Sequence, residues 1–107
     1  MRSYTLAALL VLASVAPTVA TAEGNPEAGR LKAYTCTGCH GITGYKNAYP
    51  NYHVPRISGQ NQQYLVNALK EYQSGARKHP TMVAQAQSLS EQDILDITAY
   101  LANPPAP

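Results

Sequence analysis

The sequence has 107 residues, 45% of them hydrophobic, and its eight Lys and Arg exceed six Asp and Glu by a net charge of +2. This small excess argues against a general nucleic-acid binder, and the hydrophobic content argues against a disordered chain. One small domain is expected, and because it has no Trp and no Phe, either its core is loosely packed or an aromatic body is supplied from outside.

The first 22 residues have the order of a secretory signal peptide. Met1 and Arg2 form a short positive start, residues 6–16 are almost all apolar, and Ala20-Thr21-Ala22 is a small-residue cleavage site. A retained membrane anchor is the alternative, but the apolar run is shorter than the roughly 20 residues that a span needs. Cleavage after Ala22 leaves residues 23–107 as one exported domain, with no other segment apolar enough to enter a membrane.

The first predicted helix covers residues 26–36. Asn25 is a helix-capping residue, Pro26 suits the first helical position, and Glu27 suits the positive end of the helix dipole. Residues 37–60 are rich in Gly, Pro, Asn and Tyr, which predicts a long ordered loop. A loop of this length in a small domain indicates a function for it.

Residues 61–73 have apolar side chains at a spacing of three to four and are predicted to form an amphipathic helix. Residues 76–88 are predicted to be a second connection. Within it Pro80 disfavours helical backbone at His79, and a short helical turn is expected to begin at about Met82.

The last predicted helix, residues 90–102, has the clearest signals. Ser90 and Asp93 resemble a capping box, and Leu89 is placed to pack on Ile94 just after the cap. No segment has the alternating pattern of a strand. The sequence therefore predicts an all-α fold of about four helices joined by long loops.

Cys36-Thr37-Gly38-Cys39-His40 is a C-x-x-C-H motif that contains the only two cysteines. In an exported protein this motif indicates attachment of a c-type haem, with one thioether to each vinyl group and the iron bound by the adjacent His. A disulfide between Cys36 and Cys39, a thioredoxin-like redox pair and a zinc site are the alternatives. The redox pair lacks a βαβ context and zinc lacks a second ligand pair, whereas a haem supplies the aromatic body that the core lacks.

A haem in an electron carrier usually has a second axial ligand, and in cytochromes c the pair is often Met and His. Met82 is the only Met after removal of the leader, and it lies beyond a helix from His40 in a predicted connection. His53 and His79 are the rival ligands. A site with two His ligands has a lower reduction potential than one with His and Met.

Further motifs occur in a fixed order along the chain: Gly29-x6-Cys36-x-x-Cys39-His40-Gly41, Pro55-x-Ile57-x-Gly59-Gln60, Tyr64-Leu65, Gly75-x-Arg77, Met82, Ala86-x-x-Leu89-Ser90, Asp93-Ile94 and Ala99-Tyr100-Leu101. With this ordered set the chain resembles monohaem class I cytochromes c of the bacterial cytochrome c4/c553 type. The resemblance covers nearly all of residues 23–107.

This resemblance implies the small class I cytochrome c fold around one haem c, attached covalently through Cys36 and Cys39. It implies that His40 and Met82 bind the iron. It also implies that Pro55 presents its backbone carbonyl to the far nitrogen of His40 and so fixes the orientation of the ring.

Two further expectations come from the same resemblance. Gly29 and Tyr100 are expected to mark the crossing of the first and last helices. The Tyr-rich segment 45–53 departs from the family pattern, and either shielding of a haem edge or contact with a partner would account for it.

The function expected from the resemblance is that of a periplasmic one-electron carrier, not an enzyme, with redox proteins as partners and no nucleic acid. It acts as a monomer or as a subunit of a hetero-complex. One alternative is the small cytochrome subunit of a larger dehydrogenase, such as a flavin-containing sulfide dehydrogenase. Others are a haem sensor or peroxidase with an open iron site and a haem-free dithiol protein.

Charge is unevenly distributed along the chain. Residues 28–90 contain seven Lys or Arg and one Glu, whereas the two ends contain five acidic residues. If the terminal helices pack together, the bases lie nearer the haem and can orient an acidic partner. The alternative is a scatter of solvated charges.

Overall fold

The computed structural model describes residues 16, 23–42 and 53–104, so all of the expected leader 1–22 except residue 16, and most of the Tyr-rich segment 45–53, lie outside the described residues. The described part is all-helical and has no strand, which confirms the predicted class. It has five helices where about four were expected: α1 (Pro26–Lys32), α2 (Tyr34–His40), α3 (Gln62–Ser74), α4 (Pro80–Gln87) and α5 (Glu91–Ala102).

The prediction of one helix over residues 26–36 is wrong, because the helix is interrupted at Ala33. Asn25 caps α1 by accepting from the backbone N–H groups of Glu27 and Ala28 at 3.0 and 3.2 Å. Ala33 ends α1 with its N–H on the carbonyl of Gly29, and its own carbonyl accepts from Cys36 to start α2. Ala33 is fully buried, so the break allows both helices to lie on the core.

The C-x-x-C-H motif is therefore helical over its whole length, where the sequence predicted a loop from residue 37 onward. Gly41 ends α2 in the left-handed conformation, with φ at 58°, and its N–H donates to Thr37. Glycine adopts this conformation without a steric cost. The motif consequently lies on one rigid turn of helix.

The remaining helices begin close to where the sequence places them. Asn61 caps α3 and Ser90 caps α5, where the Ser90 and Asp93 side chains accept from each other's backbone N–H groups as predicted. The exception is α4, which is longer than the expected turn and begins at Pro80. Pro80 occupies the first helical position, where its missing N–H costs no hydrogen bond.

The closest helix packing joins the two ends of the domain. A Cβ on Gly29 would overlap the backbone carbonyl of Asp96, and one on Gly24 would overlap that of Leu95. Gly29 therefore lies at the crossing of α1 with α5 as expected, and Tyr100 is buried in the core. Glycine is required here because the two backbones touch.

A buried carboxylate ties the same crossing together. Asp96 accepts hydrogen bonds from the Asn25 backbone N–H at 2.8 Å, from the Gln92 amide at 2.8 Å and from the Lys32 ammonium at 2.6 Å. Lys32 also pairs with Asp93 at 2.9 Å. Lys32, followed by the Asn25 and Gln92 donors, lowers the pKa of Asp96 to about 2.

The helices contact one another in the order α2, α1, α5, α3, α4. Among the described helices, α2 lies close to α1 alone, and α4 lies close to α3 alone. The core between them is formed by Ala33, Ile42, Leu65, Ile97, Tyr100 and Leu101. None of the helices in the described part is both long and apolar enough to cross a membrane.

Candidate cofactor site

A cavity lies between α2 and α4, the two helices at opposite ends of the series of helix contacts α2, α1, α5, α3, α4. Residues from α2, the segment 53–57, α3, α4 and the buried face of α5 line it. The five residues that the sequence analysis proposed as a site all line this one cavity: Cys36, Cys39, His40, Pro55 and Met82.

Cys36 and Cys39 project from one side of α2, because residues three apart share a helix face. Both are free thiols and half-buried, so the structure does not pair them in a disulfide. Burial raises the pKa of Cys36, whose side chain also packs against the core. Two thiols on one helix face, opening onto an apolar cavity, suit covalent attachment of a flat group.

His40 is the last residue of α2, and its Nδ1 lies 2.8 Å from the backbone carbonyl oxygen of Pro55. A carbonyl oxygen only accepts, so Nδ1 carries the proton in this contact. Nε2 then retains its lone pair, which is the state in which an imidazole binds a metal. The contact also fixes the ring relative to the cavity wall.

Met82 lies in the first turn of α4 and is half-buried at the cavity. The rival His79 also lines the cavity, but its Nδ1 accepts from the Met82 backbone N–H at 3.2 Å and so caps α4. With Nδ1 occupied and the proton on Nε2, His79 has no free lone pair for a metal. His53 lines the cavity as well and is exposed.

The lining matches the chemistry of a haem. Its described residues include two guanidinium groups, Arg56 and Arg77, and no carboxylate, which suits a group that is flat, apolar and bears two propionates. The described residues contain no cluster of three or more His, Cys, Asp or Glu able to hold a metal ion, so the ligand set of a zinc site is not assembled there. The apolar lining is provided by Val54, Ile57, Leu65, Ala68, Leu69, Leu89, Ile97 and Leu101.

Sequence reasoning gave no role to a second group at the cavity, which we call the Arg77 cluster: Arg77, Glu71, Tyr64 and Tyr72. The Arg77 guanidinium lies 5.9 and 5.5 Å from the ring centres of Tyr64 and Tyr72, and its Nε is 3.1 Å from a carboxylate oxygen of Glu71. The sequence signal was the Gly75-x-Arg77 pattern just ahead of Met82. The partners Tyr64, Glu71 and Tyr72 lie on α3, and they contact Arg77 only because the segment after α3 folds back onto that helix.

Comparison with known proteins agrees with the chemistry of this cavity. A family model described as Cytochrome c matches residues 27–104. Cytochrome c4 of Pseudomonas aeruginosa is 38% identical over 85 residues, which cover 79% of this chain and 41% of that protein. Cytochrome c-554(548) of Halomonas halodenitrificans is 41% identical over 83 residues, which cover 75% of this chain and 96% of that protein.

Two relatives have names that refer to sulfur metabolism. The cytochrome subunit of sulfide dehydrogenase of Chlorobaculum tepidum is 28% identical over 75 residues, covering 70% of this chain and 64% of that protein. The thiosulfate dehydrogenase electron acceptor of Thiomonas intermedia is 33% identical over 69 residues, covering 64% of this chain and 31% of that protein. The chain spans about two fifths of the length of the cytochrome c4 relatives that it matches.

Proposed function

The chain belongs to the cytochrome c family, whose prosthetic group is covalently bound haem c, and we propose that it carries single electrons between redox proteins. The haem, when bound, supplies a one-electron couple between Fe(III) and Fe(II). The observation that carries the proposal is the meeting of the C-x-x-C-H helix, the oriented His40 and Met82 at one apolar cavity.

Each site residue has a distinct part in this proposal. Cys36 and Cys39 attach the group to α2. His40 binds the iron through Nε2, and Pro55 holds the ring by accepting from Nδ1–H. Met82 would supply the second ligand to the iron, and it would bring α4 to a group attached to α2, two helices that do not otherwise lie close together.

The ligand pair sets the electron affinity of the site. A thioether ligand raises the reduction potential relative to a second imidazole. The apolar lining acts in the same direction, because it excludes water that would stabilise the additional positive charge of the oxidised site. With His40 and Met82 both bound to the iron, the site would favour electron transfer over catalysis at the metal.

We place the carrier in the periplasm, on the basis of the signal-peptide pattern of residues 1–22. A second candidate is the small cytochrome subunit of a larger dehydrogenase. Its specific support is the exposure of two large side chains, Leu31 near the end of α1 at 68% and Tyr34 at the start of the C-x-x-C-H helix at 76%. Isolation of the protein in a stable complex with a flavin-containing partner would favour this candidate, and a monomer at micromolar concentration would favour the free carrier.

The proposed partner surface is electropositive. Within the described residues most charges are paired: Lys32 with Asp93 and Asp96, Lys70 with Glu91, and Arg77 with Glu71. Arg56 at the cavity wall and the exposed Lys78, which lies between Arg77 and His79 in sequence, have no ion pair with a described carboxylate. We expect these two cations to contribute to the orientation of an acidic partner.

The visible spectrum of the purified holoprotein tests the proposal. We expect low-spin c-type bands in both oxidation states and the weak far-red band of a Met-ligated ferric haem. Met82→Ala should abolish the far-red band and let the reduced protein bind carbon monoxide, whereas His53→Gln, at the exposed rival, should leave both properties unchanged. A ferric spectrum that responds to His53→Gln and ignores Met82→Ala would overturn the ligand assignment, and a high-spin wild type would favour a sensor or peroxidase.

A Met82→His variant extends the test to energetics. Its haem should stay low-spin while the reduction potential falls by on the order of 0.1 V, a part of the roughly 0.8 V range that axial ligands span. Redox titration against His53→Gln as the control measures this shift. An unchanged potential would contradict ligation by Met82.

A further inference from the structure

The segment between α3 and α4 has only five residues, 75–79, and it determines where Met82 lies. α3 ends at Gly75, which is left-handed with φ at 82°, and α4 begins directly after His79. Arg77 is at the centre of this segment. Met82 follows in the first turn of α4, so any displacement of the segment displaces Met82.

Each end of α4 has its own attachment to α3. At the C-terminal end the Gln73 amide donates to the carbonyls of Ala86 and Leu89, both at 2.9 Å. At the N-terminal end the His79 cap lies within the segment and α4 itself and makes no bond to α3. Among the polar contacts of the described residues, those of Arg77 therefore join this end of α4 to α3, in addition to the packing of the two helices.

Arg77 contacts α3 at three places along its length. Its backbone N–H donates to the Glu71 carbonyl at 3.2 Å, its Nε pairs with the Glu71 carboxylate at 3.1 Å, and its guanidinium lies against Tyr64 and Tyr72 within the range of a cation–π contact. Tyr64, then Glu71 and Tyr72, raise the pKa of Arg77, so the cation is permanent. A planar guanidinium reaches all three partners, whereas a Lys ammonium is a single point of charge.

We propose that Arg77 is a positioning residue, which holds the segment 75–79 against α3 and thereby keeps the Met82 thioether at the cavity. This inference rests on the proposed role of Met82. The proposed role of Arg77 depends on its contacts with α3 and not on its charge alone. The next residue, Lys78, supplies the same positive charge without these contacts.

Competition by imidazole tests the inference on the intact holoprotein. Imidazole binds ferric haem only when Met82 leaves the iron, so its apparent affinity reports the fraction of open site. Arg77→Gln should raise that affinity about tenfold, equivalent to about 1.4 kcal/mol. Arg77→Lys should give an intermediate increase. Lys78→Gln, which removes the same charge from the next residue in the segment, should stay within twofold of wild type.

Hydrogen exchange supplies a readout that does not depend on the iron. Amides of residues 76–83 should exchange faster in Arg77→Gln than in Lys78→Gln, while those of α1 and α5 exchange equally in both. Equal imidazole affinity in Arg77→Gln and wild type would overturn the inference, as would an equal effect of Lys78→Gln or full recovery in Arg77→Lys.

Failure of the proposed function has a different signature. A wild-type ferric spectrum without the far-red band would overturn the role of Met82, and this inference with it. A wild type that shows the band, with variants that leave imidazole binding and exchange unchanged, would overturn the inference alone.

Discussion

The crossing of α1 with α5 and the cavity between α2 and α4 differ in what holds the helices together. At the crossing the helices are joined by direct contacts between protein atoms. Gly29 lies against the α5 backbone, and Asp96 accepts hydrogen bonds from Asn25, Lys32 and Gln92. At the cavity, α2 and α4 each rest on a single neighbouring helix and do not lie close to one another.

The difference shows which part of the fold the protein supplies and which part the haem supplies. Protein atoms alone fix the crossing, and through it the relative position of α1 and α5. Among the described helices, α2 and α4 do not contact each other directly and face each other across the cavity. The absence of Trp and Phe fits this division, because the largest aromatic body belongs on the cavity side.

The largest expected effect comes from removal of the haem by Cys36→Ala combined with Cys39→Ala. This variant should keep no haem after denaturation, and its free energy of unfolding should lose most of the roughly 5–15 kcal/mol typical of a small domain. Circular dichroism during heating measures the loss, and hydrogen exchange should place the remaining protection in α1 and α5. A haem-free variant that melts within a few degrees of wild type would contradict the conclusion that the haem holds the cavity side of the fold together.

The crossing itself is tested by Gly29→Ala. The added methyl overlaps the Asp96 carbonyl, and we expect a loss of about 1–3 kcal/mol in the free energy of unfolding with an unchanged visible spectrum. Arg30→Ala, on the same helix at an exposed position, is the control and should stay within about 0.5 kcal/mol of wild type. A Gly29→Ala protein as stable as the control would show that the backbones separate at little cost.

Acid should weaken the crossing through Asp96. Its pKa is lowered to about 2 in the folded protein, so its stabilising effect is complete at neutral pH and is lost as the pH falls from about 4 toward 2. Asp96→Asn should melt at a lower temperature than wild type at pH 7, and the difference should narrow toward pH 2. Glu91→Gln, at an exposed carboxylate on the same helix, is the control. A pH-independent difference would contradict the ionic role of Asp96.

The smallest expected effect concerns the charge of the cavity side. Oxidation of the reduced protein by ferricyanide, an anion, should slow with added salt, and oxidation by a cationic cobalt complex should accelerate. Arg56→Gln and Lys78→Gln should each reduce the low-salt rate with ferricyanide roughly twofold, measured by stopped flow. Rates that ignore salt with both oxidants would show that the charges are merely solvated.

Local signals predicted the parts of the fold that depend on neighbours in sequence. The Asn25 cap, the Ser90–Asp93 capping box and the C-x-x-C-H spacing all act within four residues, and the structure contains each of them. The break at Ala33 was missed because periodicity continues through it, and the need to bury Ala33 arises only when α5 packs on α1.

Long-range features of the site were the hardest to predict. The contact of His40 with Pro55 came from the resemblance, since nothing in the spacing of fifteen residues implies it. The Gly75-x-Arg77 pattern marked Arg77 itself, but the partners of Arg77 on α3 and the donors around Asp96 had no sequence signal, because they depend on side chains that folding brings together. The Leu89 contact with Ile94 and the ligand role of Met82 stay predictions.

The position of Asp96 near the end of the chain also determines an order of events during biogenesis. Its contacts with Lys32 and Asn25 close loops of 64 and 71 residues, so they form only after α5 has been synthesised. The C-x-x-C-H segment on α2 precedes α5 in the chain, so it emerges first during both synthesis and export. Because such non-local contacts also make folding slow, both thiols pass through a period in which an attachment machinery can reach them before the domain closes.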